Sequence, residues 1–296
     1  MSRTQSLILT IYGDYIRHYG NQIWIGSLIR LLKVFGHNEQ AVRVSVSRMS
    51  KQGLLQSEKV GNKSFYKLTE RGINRVDEAA RRIYKLNPYE WDGKWRVVMY
   101  NIPEEKRQIR DELRKELQWS GFGNLSNGCW VSPNNHEKGI HLLVSKYNVE
   151  DYVHLFLSEY KGPRSDFVLV ENCWPLAEIE EKYEQFIEEY SKKFIIHQSI
   201  IQSGEMTDEE CFIERAFLVH QYRKFLFIDP GLPKELLPER WNGNHAALLF
   251  NQYYQMLAEP SNRFFEEIFQ EDNDLGKKNK LYNAKEYPLI GQSSKK

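Results

Sequence analysis

Between Gly36 and Gly72 the chain carries side chains with the chemistry to read a DNA duplex. They are Gln40, Arg43, Val44, Ser47, Arg48 and Lys51, followed closely by Lys59, Lys63 and Lys67. Arginine can fork onto a guanine edge, glutamine onto an adenine edge, and serine or lysine can hold phosphate oxygens. An outward Val44 suits a thymine methyl, although a lone exposed valine is ordinary on any surface. The three later lysines would add salt-dependent affinity without reading sequence.

For these groups to share one surface, the stretch must fold as helix, hairpin, helix. Asn38 is a good N-cap and Glu39 suits the positive end of a helix dipole. Val42, Val44 and Val46 alternate with Arg43 and Ser45, which is also a strand pattern. The helix reading rests on the cap, on Gly53 as the stop, and on the i, i+4, i+7 spacing of Val42, Val46 and Met49. Leu54–Val60 and Lys63–Leu68 flank Gly61-Asn62, a dipeptide suited to a two-residue hairpin turn. Thr69–Gly72 opens a helix expected to reach about Leu86, with Ile73, Val76, Ala80 and Ile83 inward. Upstream, Arg3–Tyr19 has a helical stripe through Leu7, Ile8, Ile11, Tyr15 and Ile16, ended by Gly20. Gln22–Ile25 reads as a short strand. Ser27–Phe35 reads as a helix with Leu28, Leu31, Leu32 and Phe35 on one face. That order over residues 1–88 predicts a winged helix-turn-helix.

Charge follows the same division. Residues 1–90 hold 15 Lys/Arg against 7 Asp/Glu, residues 91–172 hold 11 against 12, and residues 173–296 hold 15 against 21. A basic first third on a chain of net charge +1 is the footprint of polyanion binding, or of a merely solvated basic face. Cys129, Cys173 and Cys211 are widely separated and odd in number, so reduced thiols are expected. No apolar run approaches the ~18–20 residues of a membrane span, and Leu7–Ile11 is too short for a signal segment.

Residues 89–172 read as strand Trp95–Ile102, helix Glu104–Trp119, strands Gly128–Ser132 and Ile140–Ser145, helix Val149–Leu157 and strand Asp166–Val170. The order βαββαβ is the ferredoxin-like plan. The same plan occurs in Cas2-type nucleases, which hold metal on an Asp ending the first strand. Here Asn101 stands at that place, and neutral Asn is a poor Mg²⁺ anchor. Glu104 and Glu105 are explained by the helix start after Pro103. A dimerisation or spacer role is the better reading, with a metal-dependent nuclease as the alternative.

Residues 173–271 read as helices: Trp174 to about Lys193, one after the capping box Thr207–Glu210, one near His245–Leu257, and one near Asn262–Phe269. The polar stretch 272–296 reads as a loose tail. His220, Tyr222, Arg223, Lys224 and Trp241 could form an effector site. Arg223 and Lys224 would hold a phosphate or carboxylate, and Tyr222 or Trp241 would cover an aromatic group. The same residues also describe a solvated helix face with two core aromatics. The histidines show no metal-ligand spacing, and no nucleophile-elbow, phosphate-loop or dinucleotide motif is present, so no catalytic residue, metal or cofactor is assigned. A winged-helix scaffold for protein contacts remains a further alternative.

The stretches RTQSLILTIYGDYIRHYG, NEQAVRVSVSRMSKQG, YKLTERG, WDGKWRVVMYNIPEEKRQIRDELRKELQWSGFG, CWVSP and LVHQYRKFLFIDPGLPKELLPERWNG are collinear with a known pattern over most of residues 3–243. Through them the chain resembles the PaaX family, repressors of phenylacetic acid degradation operons. The resemblance implies an α+β multidomain protein with a winged helix, a Cas2-like middle and a mainly helical C-terminal domain. It also implies a cytoplasmic homodimer that binds operator DNA and leaves it on binding phenylacetyl-CoA.

Overall fold

The computed structural model describes residues 3–83 and 90–272. In chain order their regular elements are α1 (Arg3–Asp14), β1 (Gln22–Trp24), α2 (Ile25–Lys33), α3 (Glu39–Lys51), β2 (Leu55–Val60), β3 (Lys63–Leu68) and α4 (Glu70–Ile83). Then come β4 (Trp95–Tyr100), α5 (Arg107–Trp119), β5 (Gly123–Ser126), β6 (Cys129–Ser132), α6 (Glu137–Tyr147), β7 (Val153–Ser158) and α7 (Asp166–Cys173). Four helices close the described chain: α8 (Leu176–Gln202), α9 (Asp208–Tyr222), α10 (Asn242–Met256) and α11 (Ala258–Asp272). The architecture is mixed α+β with two small sheets.

Two compact units cut across the sequence thirds. One comprises the described residues up to Ile83 together with Phe186–Arg223 and those from Ala246 onward. The other comprises those from Glu90 to Gln185 and Lys224–His245. The expected boundary at 88/89, the continuation of the helix to Leu86 and the tail beyond Asp272 lie outside the described residues.

In the first unit the strands lie in the order β1-β3-β2, all antiparallel. Val60 pairs with Lys63, so Gly61-Asn62 is the two-residue turn, with Gly61 at φ 58°. Primed hairpin turns require positive φ, which glycine adopts without strain. The apolar stripe of α1 is buried, and Tyr12 Oη donates to the Tyr66 carbonyl at 2.9 Å. One core joins Leu7, Ile11 and Tyr15 of the N-terminal segment to Leu28, Val42, Val46 and Met49, and also to Phe212, Phe265 and Phe269 of α9 and α11. Tyr15 stacks on Phe265 at 5.0 Å and lies 5.1 Å from Phe212. Within the stretch 173–271 expected to be helical, α9 and α11 complete the core of the N-terminal elements. The reason is the aromatic stripe of α9 and α11, whose burial against α1 removes large apolar area from water.

In the second unit the sheet order is β5-β6-β4-β7, again antiparallel throughout. Val98, Leu113, Leu117, Trp130 and Ile140 form its core. Gly121, at φ 87°, is held tightly here, since a Cβ would sit 2.7 Å from the Pro230 carbonyl oxygen. Three expected elements are corrected. Ile140–Ser145 is not a strand but part of α6, whose Ile140, Leu143, Val144 and Tyr147 pack inward at helical spacing. Val149–Leu157 is not a helix: a 3₁₀ turn at Glu150–Tyr152 leads into β7, which pairs with β4 along its length. Asp166–Val170 is not a strand but belongs to α7, where Asp166 suits the helix N-terminus. The order βαββαβ survives because the unforeseen β5 takes the second strand position.

Candidate nucleic-acid interface

The helix reading of Val42-Val44-Val46 holds. Asn38 Oδ1 accepts from the Ala41 N–H at 2.8 Å and fixes the start of α3. Val42, Ser45, Val46 and Met49 are buried, which turns Gln40, Arg43, Val44, Ser47, Arg48 and Lys51 to solvent together. Val44 is 44% exposed, in the middle of that polar face. Arg43 Nε donates to Glu39 Oε1 at 2.8 Å, one turn earlier on the same face. Glu39, at i, i+4 spacing from Arg43, joins this surface through that pair.

The hairpin adds its lysines unevenly. Lys59 is exposed near the tip, whereas Lys63 and Lys67 are half-buried. Lys63 Nζ lies 4.8 Å from the centre of the Trp24 ring, a cation–π contact that fixes where its charge sits. Trp24 of β1 is thus a structural partner of the basic hairpin.

The residues read as an effector cluster take different places. His220 Nδ1 lies 3.5 Å from Ser6 Oγ. The Arg223 guanidinium donates to the Ser6 carbonyl at 3.0 Å and to Thr10 Oγ1 at 2.9 Å, and also reaches Ser6 Oγ. Burial holds Arg223 below the usual arginine range, partly countered by Asp14. Tyr222 is buried and stacks on Phe250 at 4.1 Å. Lys224 is exposed, and Trp241, in the second unit, packs edge-on to Tyr183 at 5.7 Å. A shallow cleft beside His220 is lined by Arg3, Leu7, Phe35, His37 and Phe217. Burial and then Arg3 lower the His37 imidazolium below its ordinary range. Ser6 and Thr10, four residues apart on α1, are the partners of Arg223, and their i, i+4 spacing places both hydroxyls on one face of the helix.

In the second unit Asn101 is exposed, and its backbone N–H donates to Tyr152 O at 3.0 Å. Glu104 is engaged by Arg110 at 2.9 Å. Among the described residues no cluster of three or more His, Cys, Asp or Glu side chains could hold a metal ion. No described helix is long and apolar enough to cross a membrane. Burial pushes the Cys173 and Cys211 thiols up to about 11, which favours the thiol over the thiolate.

Three family models match in sequence order: the PaaX-like protein over residues 3–72, the PaaX protein central Cas2-like domain over 88–170, and the PaaX-like protein C-terminal domain over 174–267. The transcriptional repressor PaaX of Escherichia coli (strain K12) is 34% identical over 265 residues, covering 88% of this chain and 83% of that protein. A solved structure, the uncharacterized protein Rv0674 from Mycobacterium tuberculosis, superposes with a TM-score of 0.53 at 22% identity, covering 81% of this chain and 90% of that one. That likeness concerns the fold. The family models and the identity to the E. coli protein together place the chain: it belongs to the PaaX family.

Proposed function

We propose that this protein is a DNA-binding transcriptional repressor of a phenylacetate catabolic operon, acting as a cytoplasmic homodimer and released from its operator by phenylacetyl-CoA. The observation that carries the reading is the outward face of α3, where Gln40, Arg43, Val44, Ser47, Arg48 and Lys51 stand together beside a basic hairpin. In this reading residues 3–83 act as a winged helix, with α3 in the major groove and Lys59, Lys63 and Lys67 of the wing near the phosphates. The second unit is a ferredoxin-like, Cas2-like spacer or dimerisation module, a reading supported by its strand order. The similarity to a transcriptional repressor supports the regulatory role.

Effector control draws support from the junction of α1 and α9. There Arg223 and His220, two of the expected effector residues, contact a helix packed against α3. A ligand that draws Arg223 or His220 away would act on the helix that supports the recognition surface. It shifts the equilibrium only if it binds the released state more tightly than the DNA-bound one.

Two recognition helices in one dimer would occupy successive major grooves roughly 34 Å apart. Hydroxyl-radical footprinting on the DNA upstream of the protein's own gene tests this. The expected result is two protected half-sites in inverted repeat, one helical turn apart. A uniform, unphased footprint contradicts it.

A further inference from the structure

We propose that Glu39 is a positioning and specificity-determining residue of α3: by engaging Arg43 Nε it leaves only the two Nη atoms of Arg43 to meet a base edge. The inference rests on the DNA-binding reading above and goes beyond it.

Arg43 Nε lies 2.8 Å from Glu39 Oε1, and among the described residues no other group hydrogen-bonds to the Arg43 guanidinium. Glutamate four residues before arginine is the favourable order for such a pair on a helix. An arginine can approach guanine O6 and N7 either with both Nη atoms or side-on with Nε and one Nη. With Nε engaged, the side-on approach is closed and the end-on fork remains. The rotamer freedom of a long side chain is reduced before DNA arrives, so less is lost on binding.

A carboxylate on this face also has a cost that needs a reason. Glu39 is exposed on the first turn, where it would approach a polyanion. Its favourable interaction with the helix dipole is one contribution. However, Asn38 already caps the helix, and the carboxylate is turned onto Arg43. The negative charge also weakens docking on phosphates alone, which disfavours wrong sites, so both effects favour selectivity over raw affinity.

The test uses the full chain and a pool of randomised duplexes, comparing wild type, Arg43→Ala, Glu39→Ala and Glu39→Gln by binding-site selection. Anisotropy titrations on the selected and a scrambled duplex follow. Arg43→Ala should erase a guanine preference at one position per half-site. Glu39→Ala should relax that same preference about three- to tenfold, a fraction of the discrimination that a bidentate contact supplies, while scrambled-duplex affinity holds or rises. Glu39→Gln keeps an acceptor oxygen and should retain more of the preference than Glu39→Ala. A wild-type preference in Glu39→Ala, with loss in Arg43→Ala, overturns the positioning role and leaves α3 as the reader. A wild-type preference in Arg43→Ala overturns base reading by Arg43, and the role of Glu39 with it.

Discussion

Arg223 closes α9 and donates through both Nη atoms to Ser6 on α1, to its carbonyl at 3.0 Å and to its hydroxyl. A guanidinium held by a carbonyl and two hydroxyls is a fork that lysine cannot copy. The contact fixes α9 to the helix on which α3 packs.

Replacing Arg223 with alanine leaves the Ser6 and Thr10 groups without this donor. The expected loss is about 1–3 kcal/mol of unfolding free energy, the range for part-buried hydrogen bonds to a charged group. Arg223→Lys should recover less than half of it. Urea unfolding followed by tyrosine and tryptophan fluorescence measures both, and a wild-type midpoint in Arg223→Ala would remove the contact from the account of stability.

Acid should weaken the first unit through His18. Burial, then Arg17 and Arg215, pull its imidazolium down from 6.5 to about 4. The folded value lies below the unfolded one, so the unfolded chain takes up the proton first. Stability from this group is complete above about pH 6.5 and is lost as pH falls through about 4. After screening by the partly exposed environment the loss is about 1–2 kcal/mol. Thermal melts between pH 7 and pH 4 should fall less steeply for His18→Gln than for wild type; parallel curves would assign the acid sensitivity to other groups.

The buried Arg215 makes a different prediction. It lies between the Tyr15 and Tyr254 rings, 5.1 and 4.1 Å from their centres, and donates to Asn262 Oδ1 at 2.9 Å. Arg215→Ala removes two cation–π contacts and opens a cavity where α9, α10 and α11 meet Tyr15, which should cost about 2–4 kcal/mol. DNA affinity should fall in parallel with stability, because α1 and α9 support α3. Circular dichroism melts and binding isotherms on the same samples check that link, and a destabilised variant with wild-type affinity well below its melting point would break it.

Lys59 and Lys63 should act on any duplex alike. Alanine at either position should lower the slope of log affinity against log salt by about one, without changing base preference. Lys63→Ala also frees the Trp24 face, so its fluorescence should shift where that of Lys59→Ala does not. Titrations from low to moderate salt distinguish phosphate contacts from base reading, since a changed base preference in Lys59→Ala would place the hairpin in a groove.

Much of this surface was legible because its signals are local. The Asn38 cap, the Gly61-Asn62 turn and the Val42, Val46, Met49 spacing each act within a few residues, and the helix over Glu39–Lys51 follows from them. The errors at 140–170 arose where local patterns compete. Ile140-His141-Leu142-Leu143-Val144-Ser145 supports two periods, and only packing against Leu113 and Trp130 selects the helix. Val153–Ser158 alternates as a strand should, but its partner Trp95–Tyr100 lies more than fifty residues away. The sharing of one core between α1 and α9 was not legible, because an aromatic stripe declares that it will be buried without naming its partner. For the same reason Arg223 was recognisable as a polar candidate while its acceptors, Ser6 and Thr10, were not.

Release from operator DNA by phenylacetyl-CoA, proposed for this protein, is tested most directly by one titration. The full-length protein is bound to a fluorescent duplex from upstream of its own gene, and phenylacetyl-CoA is added, with coenzyme A and phenylacetate as separate controls. The expected result is a tight, sequence-selective complex that dissociates with phenylacetyl-CoA and persists with either control. A complex that survives saturating phenylacetyl-CoA would contradict the effector control, and failure to prefer this duplex over scrambled DNA would contradict the repressor itself.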